Sequence, residues 1–301
     1  MASNGTATAG PVAVASSGEG GGAARGTIQL LSAAERDFVA KGVEQGVRPD
    51  GRERLASRSI HLEMGVIPGA FGSAQAQCGG TKVVAAVKAE LVSPNSTPGG
   101  RIEVSVSCTL TASPLFEGQR GEEVAAELTF AMNRMMEGGL SAATRKKLSV
   151  SPHHCWLLFV DAVVLDYDGA TLDAVSSAVY AALADTRLPN VCVQKGKDGQ
   201  DGIDMLDDSS DFCLDVGAVP VFVTLAQVGQ RYVADPLAVE EACASAQLCV
   251  AVNSAGNVCS THKSSGRGMH PGQARHMLQA AVRVGQNRLK CLDTYFADVD
   301  R

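Results

Sequence analysis

Arg120 closes the segment Ser113-Pro114-Leu115-Phe116-Glu117-Gly118-Gln119 and stands at the start of a helical pattern. There, backbone N–H groups and a guanidinium can hold an anion together. The ordinary alternative is a first-turn ion pair to Glu122 or Glu123. Arg145-Lys146-Lys147 is the tightest basic cluster, and it suits either a solvated turn or a contact to phosphates. His153-His154-Cys155 gathers metal-ligand residue types, but adjacent residues of a strand point to opposite faces and cannot chelate one ion. His270 and His276 are six apart, not the three or four that puts two ligands on one helix face. Nothing in the sequence pairs any of the nine cysteines with a base, so a thiol nucleophile has no support. The glycines at 18–22 follow no strand and precede no Lys-Ser or Lys-Thr, which removes a phosphate loop and the small-molecule binder it would serve.

Whatever these residues do, a core of small aliphatics must position them, because aromatics are 4% of the 301 residues and apolar residues 45%. The composition is that of a globular protein and excludes collagen, coiled coil and wholesale disorder. The net charge of −6 provides no overall basic field, so any RNA contact must be local. Residues 198–241 hold ten acidic groups against Arg231 alone, whereas 262–301 hold seven bases against three acids. The cysteines lack any C-x-x-C pair and sit mostly in apolar runs such as Val191-Cys192-Val193, which predicts reduced, buried residues in a reducing compartment. No charged start precedes an apolar stretch at the N-terminus, and no run of ~18 apolar residues occurs, so neither secretion nor membrane spanning is expected.

Residues 1–26, nearly all Gly, Ala, Ser, Thr and Val, read as a disordered tail. Ser32-Ala33-Ala34-Glu35 is a capping box opening a helix through Val43. Strand patterns at 57–64, 72–78, 82–92 and 101–110 predict an antiparallel meander. From Arg120, the stripe Val124, Leu128, Met132, Met135 and Met136 predicts a helix ending at Gly138-Gly139. The stretch 156–165 is apolar on both faces except Asp161, as in a strand covered on both sides. A helix follows with Leu172, Val175, Val179 and Leu183 on one face, then an acidic loop over 198–212. Strands at 219–227, 231–233, 247–253 and 257–262 precede a last helix from Pro271, with Ala274, Leu278, Ala281, Leu289 and Leu292 inward. This order argues for an α+β fold of two similar βα halves, at 27–212 and 213–301.

Arg48-Pro49-Asp50-Gly51-Arg52, Gly72-Ser73-Ala74, Gly80-Thr81-Lys82-Val83 and Phe116-Glu117-Gly118-Gln119-Arg120-Gly121-Glu122 together resemble the ribonuclease PH family. The register continues through Ser151-Pro152-His153-His154-Cys155-Trp156, Asp161, Asp173-Ala174, Ala181-Ala182-Leu183, Asp235-Pro236 and Glu240-Glu241-Ala242. Together they cover roughly 30–295 and are similar to one branch, the exosome core-ring subunits. The resemblance implies the ribonuclease PH-like fold, also described as ribosomal protein S5 domain 2-like. It further implies a six-member ring of such subunits, cap subunits with RNA-binding domains, and single-stranded RNA passing through the ring. The implied compartments are nucleus, nucleolus and cytoplasm, and the implied roles are rRNA maturation and mRNA decay.

Active members of that family cleave RNA from its 3′ end with inorganic phosphate, using arginines for the phosphate and two aspartates six residues apart. The resemblance puts the aspartate pair on Glu241 and Gln247, and the arginine of a Gly-Gly-Thr-Arg stretch on Leu172. It matches a Gly-Arg-Ser segment only with Glu137-Gly138-Gly139, an acid where a phosphate would bind. Phosphoryl transfer depends on positioned charge, so these losses predict a catalytically silent subunit that needs no cofactor or metal. Arg120, Arg145, Lys146 and Lys147 are then the expected RNA contacts. The rival expectation is an active phosphorolytic exoribonuclease in which Asp235, Glu240 and Glu241 replace the usual carboxylates.

Overall fold

Residues 31–93, 99–195, 201–205, 211–264 and 266–299 are described in a computed structural model of the chain. The expected tail at 1–26, with its glycine run, lies outside them. The capping box forms as read: Ser32 Oγ accepts from the Glu35 amide and Glu35 accepts from the Ser32 amide, opening α1 (Ala33–Gln45).

The first sheet holds β1 (Ile60–Met64), β2 (Gly72–Cys78), β3 (Thr81–Val92), β4 (Arg101–Cys108), β5 (Ser149–Ser151) and β6 (His154–Asp166). β1, β2 and β3 do form an antiparallel meander, but β4 does not extend it. β6 lies between β3 and β4, antiparallel to the former and parallel to the latter, in the order β1-β2-β3-β6-β4. The return connection carries α2 (Gln119–Gly139) and α3 (Ala142–Lys147), which is the long crossover that a parallel neighbour requires. α2 also covers the outer edge of β4. The Val104 amide donates to Asn133 Oδ1 at 2.8 Å and the Val106 amide to Thr129 Oγ1 at 3.0 Å, so the edge presents paired groups. β6 is fully closed on one face and partly closed on the other, where Cys155 and Leu157 are buried. Trp156, Leu158, Val160, Ala162 and Val164 are buried, whereas Phe159, Val163 and Leu165 are half-buried and Asp161 is exposed.

α4 (Thr171–Asp185) is the pivot of the fold. It packs against β2 and β3 on one side and β11 (Val221–Val228) on the other, so every residue from 172 to 183 is buried rather than one stripe. Ala174, Ser176, Ser177, Ala178, Ala181 and Ala182 keep it thin enough to fit. Beyond it come β7 (Arg187–Leu188), β8 (Val191–Lys195), β9 (Asp201–Met205) and β10 (Phe212–Cys213). Part of the expected acidic loop is therefore a strand, since β9 pairs with β8; β10 pairs with β7. The second sheet has the order β12-β11-β13-β14, from β12 (Arg231–Ala234), β13 (Ala246–Val252) and β14 (Val258–His262), with α5 (Ala238–Cys243) between β12 and β13. α6 (Pro271–Val299) lies on β11 and β13, burying Met277, Ala280, Ala281, Val284, Arg288, Leu289 and Leu292. Ala274 and Leu278, expected inward, are half-buried near its start. One hydrophobic cluster contains residues of both sheets, so the two halves share a core.

Charges lie inside this core. Arg48 makes a bidentate pair with Glu240, Nε–Oε1 at 2.8 Å and Nη2–Oε2 at 2.6 Å, and also donates to the carbonyls of Ala234 and Asp235. Asp235 accepts from Arg58 Nη2 at 2.7 Å and from the Arg58 amide at 2.7 Å. Arg288 Nη1 lies 2.9 Å from Asp173 Oδ2, and Thr224 donates to the other Asp173 oxygen at 2.6 Å. Burial opposes the Asp235 charge, yet Arg288 and Arg58 hold its carboxyl down to about 2; burial pushes the Asp173 carboxyl up to about 6. The cysteines are more varied than expected: Cys78, Cys155 and Cys249 are buried, but Cys213 and Cys291 are exposed. Their short strand and outer helix face are at the surface.

Removing one member of a buried pair strands the other. Glu240→Ala should lower the unfolding free energy by about 3–5 kcal/mol in a urea titration. Lys41→Ala, which breaks an exposed pair, should leave the midpoint in place. Equal midpoints for the two variants would remove the Arg48–Glu240 pair from the account of stability.

Candidate functional site

A 3-10 turn over Pro114–Phe116, capped by Ser113, leads into α2 through Gly118 at φ +63°. A Cβ on Gly121 would lie 2.1 Å from the Phe116 carbonyl, so only glycine lets the helix start fold against this turn. That packing brings Arg120 to the rim of a cavity of about 130 Å³. Leu172 from the first turn of α4, Glu241 from α5 and Gln247 from β13 line the same cavity, with Tyr167 and His262. Four residues selected from the sequence thus meet in one place.

Glu241 is fully engaged. Tyr167 donates its hydroxyl to Oε2 at 2.8 Å, and the Ala170 amide donates to Oε1 at 2.9 Å. Burial nonetheless pushes its carboxyl up to about 7, against the lowering effect of those two bonds. Burial and the neighbouring Glu241 raise the Tyr167 phenol above its usual range. The Ala170 amide is aimed by a tight turn: Gly169 has φ +82°, and a Cβ there would lie 2.4 Å from the Pro236 carbonyl. On the opposite wall His262 Nε2 sits 2.8 Å from Glu127, which also accepts from Ser264, and the His262 contact lowers the Glu127 carboxyl. Tyr167, Ala170 and the Glu127–His262 pair were not singled out from the sequence. The aromatic that ends the 156–165 apolar run was the available signal for the first of them.

Arg120 is exposed and, among the described residues, pairs with neither Glu122 nor Glu123. The basic cluster is elsewhere, on α3. Arg145 donates to the Glu137 carbonyl at 2.8 Å and lines a separate groove with Arg101, Glu103 and Asp161. Lys146 and Lys147 are exposed. Glu137 lines that groove too and is not among the residues lining the cavity around Leu172. Asp235 and Glu240, two carboxylates of the rival expectation, are both 0% exposed and paired with arginines. His153 is exposed and His154 meets Ser151 at 3.3 Å. Among the described residues, no group of three or more His, Cys, Asp or Glu could hold a metal ion, and no helix is long and apolar enough to cross a membrane.

Profiles of the 3′ exoribonuclease family match this chain twice, domain 1 over residues 56–189 and domain 2 over 218–284. The chain belongs to the 3′ exoribonuclease family. Within that family, it is 31% identical to the exosome complex exonuclease RRP42 of Dictyostelium discoideum over 90% of this chain and 99% of the relative. The exosome component Rrp42 of Methanocella arvoryzae is also 31% identical, over 84% of this chain and 93% of the relative. Among solved structures of 3′ exoribonuclease folds, a chain of the Archaeoglobus fulgidus exosome with RNA bound to the active site superposes with a TM-score of 0.72. It is 28% identical and covers 85% of this chain and 97% of that one.

The Glu241 carboxyl binds its proton more tightly in the fold than in the unfolded chain, so it subtracts stability as pH rises from about 4.5 through about 7. Glu241→Gln should therefore gain urea stability over the parent at pH 8 and lose that advantage near pH 4.5. Parallel midpoints at both pH values would show that the carboxyl titrates normally.

Proposed function

We propose that this chain is a non-catalytic ring subunit of an RNA exosome, supporting 3′–5′ RNA processing and degradation by assembly and by guiding RNA. Its neighbours in this reading are other ribonuclease PH-like subunits, with RNA-binding cap subunits above the ring. The near-complete coverage of Rrp42 relatives, and the match to an exosome chain in a structure holding RNA, support the assembly.

The observation that carries the silent reading is the state of Glu241. Burial raises its carboxyl to about 7 and each oxygen already accepts one hydrogen bond, so it offers a divalent ion less charge than a free carboxylate would. Gln247 adds an uncharged amide and Leu172 no donor at all. Among the described residues, Arg120 is the one Arg or Lys that lines the cavity, too few to hold a phosphate nucleophile and the scissile phosphate together. Arg120, Arg145, Lys146 and Lys147 are assigned to sequence-independent phosphate contacts. They lie at two separate places, which suits a strand passing over the subunit better than one bound in a pocket.

Two measurements test this. The purified chain, incubated with 5′-labelled RNA and inorganic phosphate, should yield no shortened product; phosphate-dependent shortening would overturn the silent reading. In an assembled ring, Arg120→Glu should slow RNA threading, and an unchanged rate would take Arg120 out of the RNA path.

A further inference from the structure

A second cavity, of about 460 Å³, lies between residues 55–62 and the outer part of α6. Leu55, Ile60, Leu62, Val284 and Leu292 form apolar walls, and Arg288 stands among them. This size, with mostly apolar walls and a few polar groups, is that of a small-molecule site. It shares no lining residue with the cavity around Glu241.

Arg288 is only 3% exposed. Its Nη1 is satisfied by the Phe222 carbonyl at 3.2 Å and lies close to Asp173. Nε and Nη2 have no hydrogen-bond partner, and the nearest carboxylate oxygen, on Asp235, is 3.8 Å from Nη2. Buried donors without an acceptor are uncommon and costly. These two share the guanidinium edge that takes both oxygens of a carboxylate side by side.

We propose that this cavity binds a small molecule with a carboxylate head and an apolar body. The head meets Nε and Nη2 of Arg288, and the body lies against Leu55, Ile60 and Leu292. Both donors are shielded from solvent, so binding includes a side-chain adjustment beside Arg288. Cys291, exposed and on the same cavity wall, reports occupancy; Cys213, exposed but outside the lining, is the internal reference.

The test uses the full chain, iodoacetamide labelling read by peptide mass spectrometry, and two probes, 4-phenylbutyrate and neutral 4-phenylbutanol. The acid should slow Cys291 labelling saturably, about fivefold at about four times its Kd, with Cys213 unchanged. The alcohol should need a concentration at least about tenfold higher for the same protection. Asn287→Trp, at an exposed position on the cavity wall, should abolish protection without changing Cys213 labelling or the melting temperature. Equal protection by acid and alcohol would overturn the carboxylate assignment. Absence of saturable protection by either probe, or protection that survives Asn287→Trp, would overturn the site.

Discussion

Arg48, Arg52, Arg58 and Arg288 meet Asp173, Asp235 and Glu240 inside the protein, and the arrangement of the chain depends on that meeting. Each ion taken from water carries a desolvation cost that is offset only while its partners and hydrogen bonds are all in place. The network joins five pieces of the chain: the irregular segment 48–58, the first turn of α4, the turn after β12, α5 and α6. A shift of one sheet against the other would leave a buried charge unpaired. The candidate site inherits this precision. Glu240 is fixed by Arg48 and Asp235 by Arg58, so the turn between them is rigidly placed and the next residue, Glu241, lands on Tyr167 and the Ala170 amide.

Local elements were legible in the sequence because their signals are local. The Ser32–Glu35 box, the methionine stripe of α2 and the alternating strands all form near the expected positions. Pairing was not legible. Alternation over 101–108 says which face is buried but not which neighbour the strand takes, so β4 was read into a meander it does not join. The full burial of α4 was hidden for a similar reason, since a stripe of Leu and Val looks the same whether the opposite face meets water or a second sheet. Asp173 and Arg288 went unread as core residues because a charge in an apolar run gives no sign of a partner a hundred residues away.

Apart from Arg120, which its place at a helix start singles out, the site was legible only through resemblance. Arg120, Leu172, Glu241 and Gln247 come from four elements, and no spacing rule brings them together. The family motifs placed them, and the fold gathers them around one cavity. A motif position fixes where a residue lies along the chain, and the fold decides which cavity it lines, as with Glu137 in the groove beside Arg145.

The replacements around the cavity also fit one another physically. An acid beside a bound divalent ion and a phosphate must stay ionised, which calls for nearby cations and solvent. Here the neighbours are Leu172, the Gln247 amide and the Tyr167 ring, and in that surrounding Glu241 keeps its proton until about neutral pH. Glu127 accepts from His262 or Ser264 on the far wall, and among the described lining residues Arg120 is the one Arg or Lys. A single exposed guanidinium attracts a polyanion weakly and reversibly, and salt screens it. Holding a phosphate in line for transfer would need several fixed cations at once. On the proposed reading, Arg120 serves as a passing phosphate contact and not as part of a transfer site.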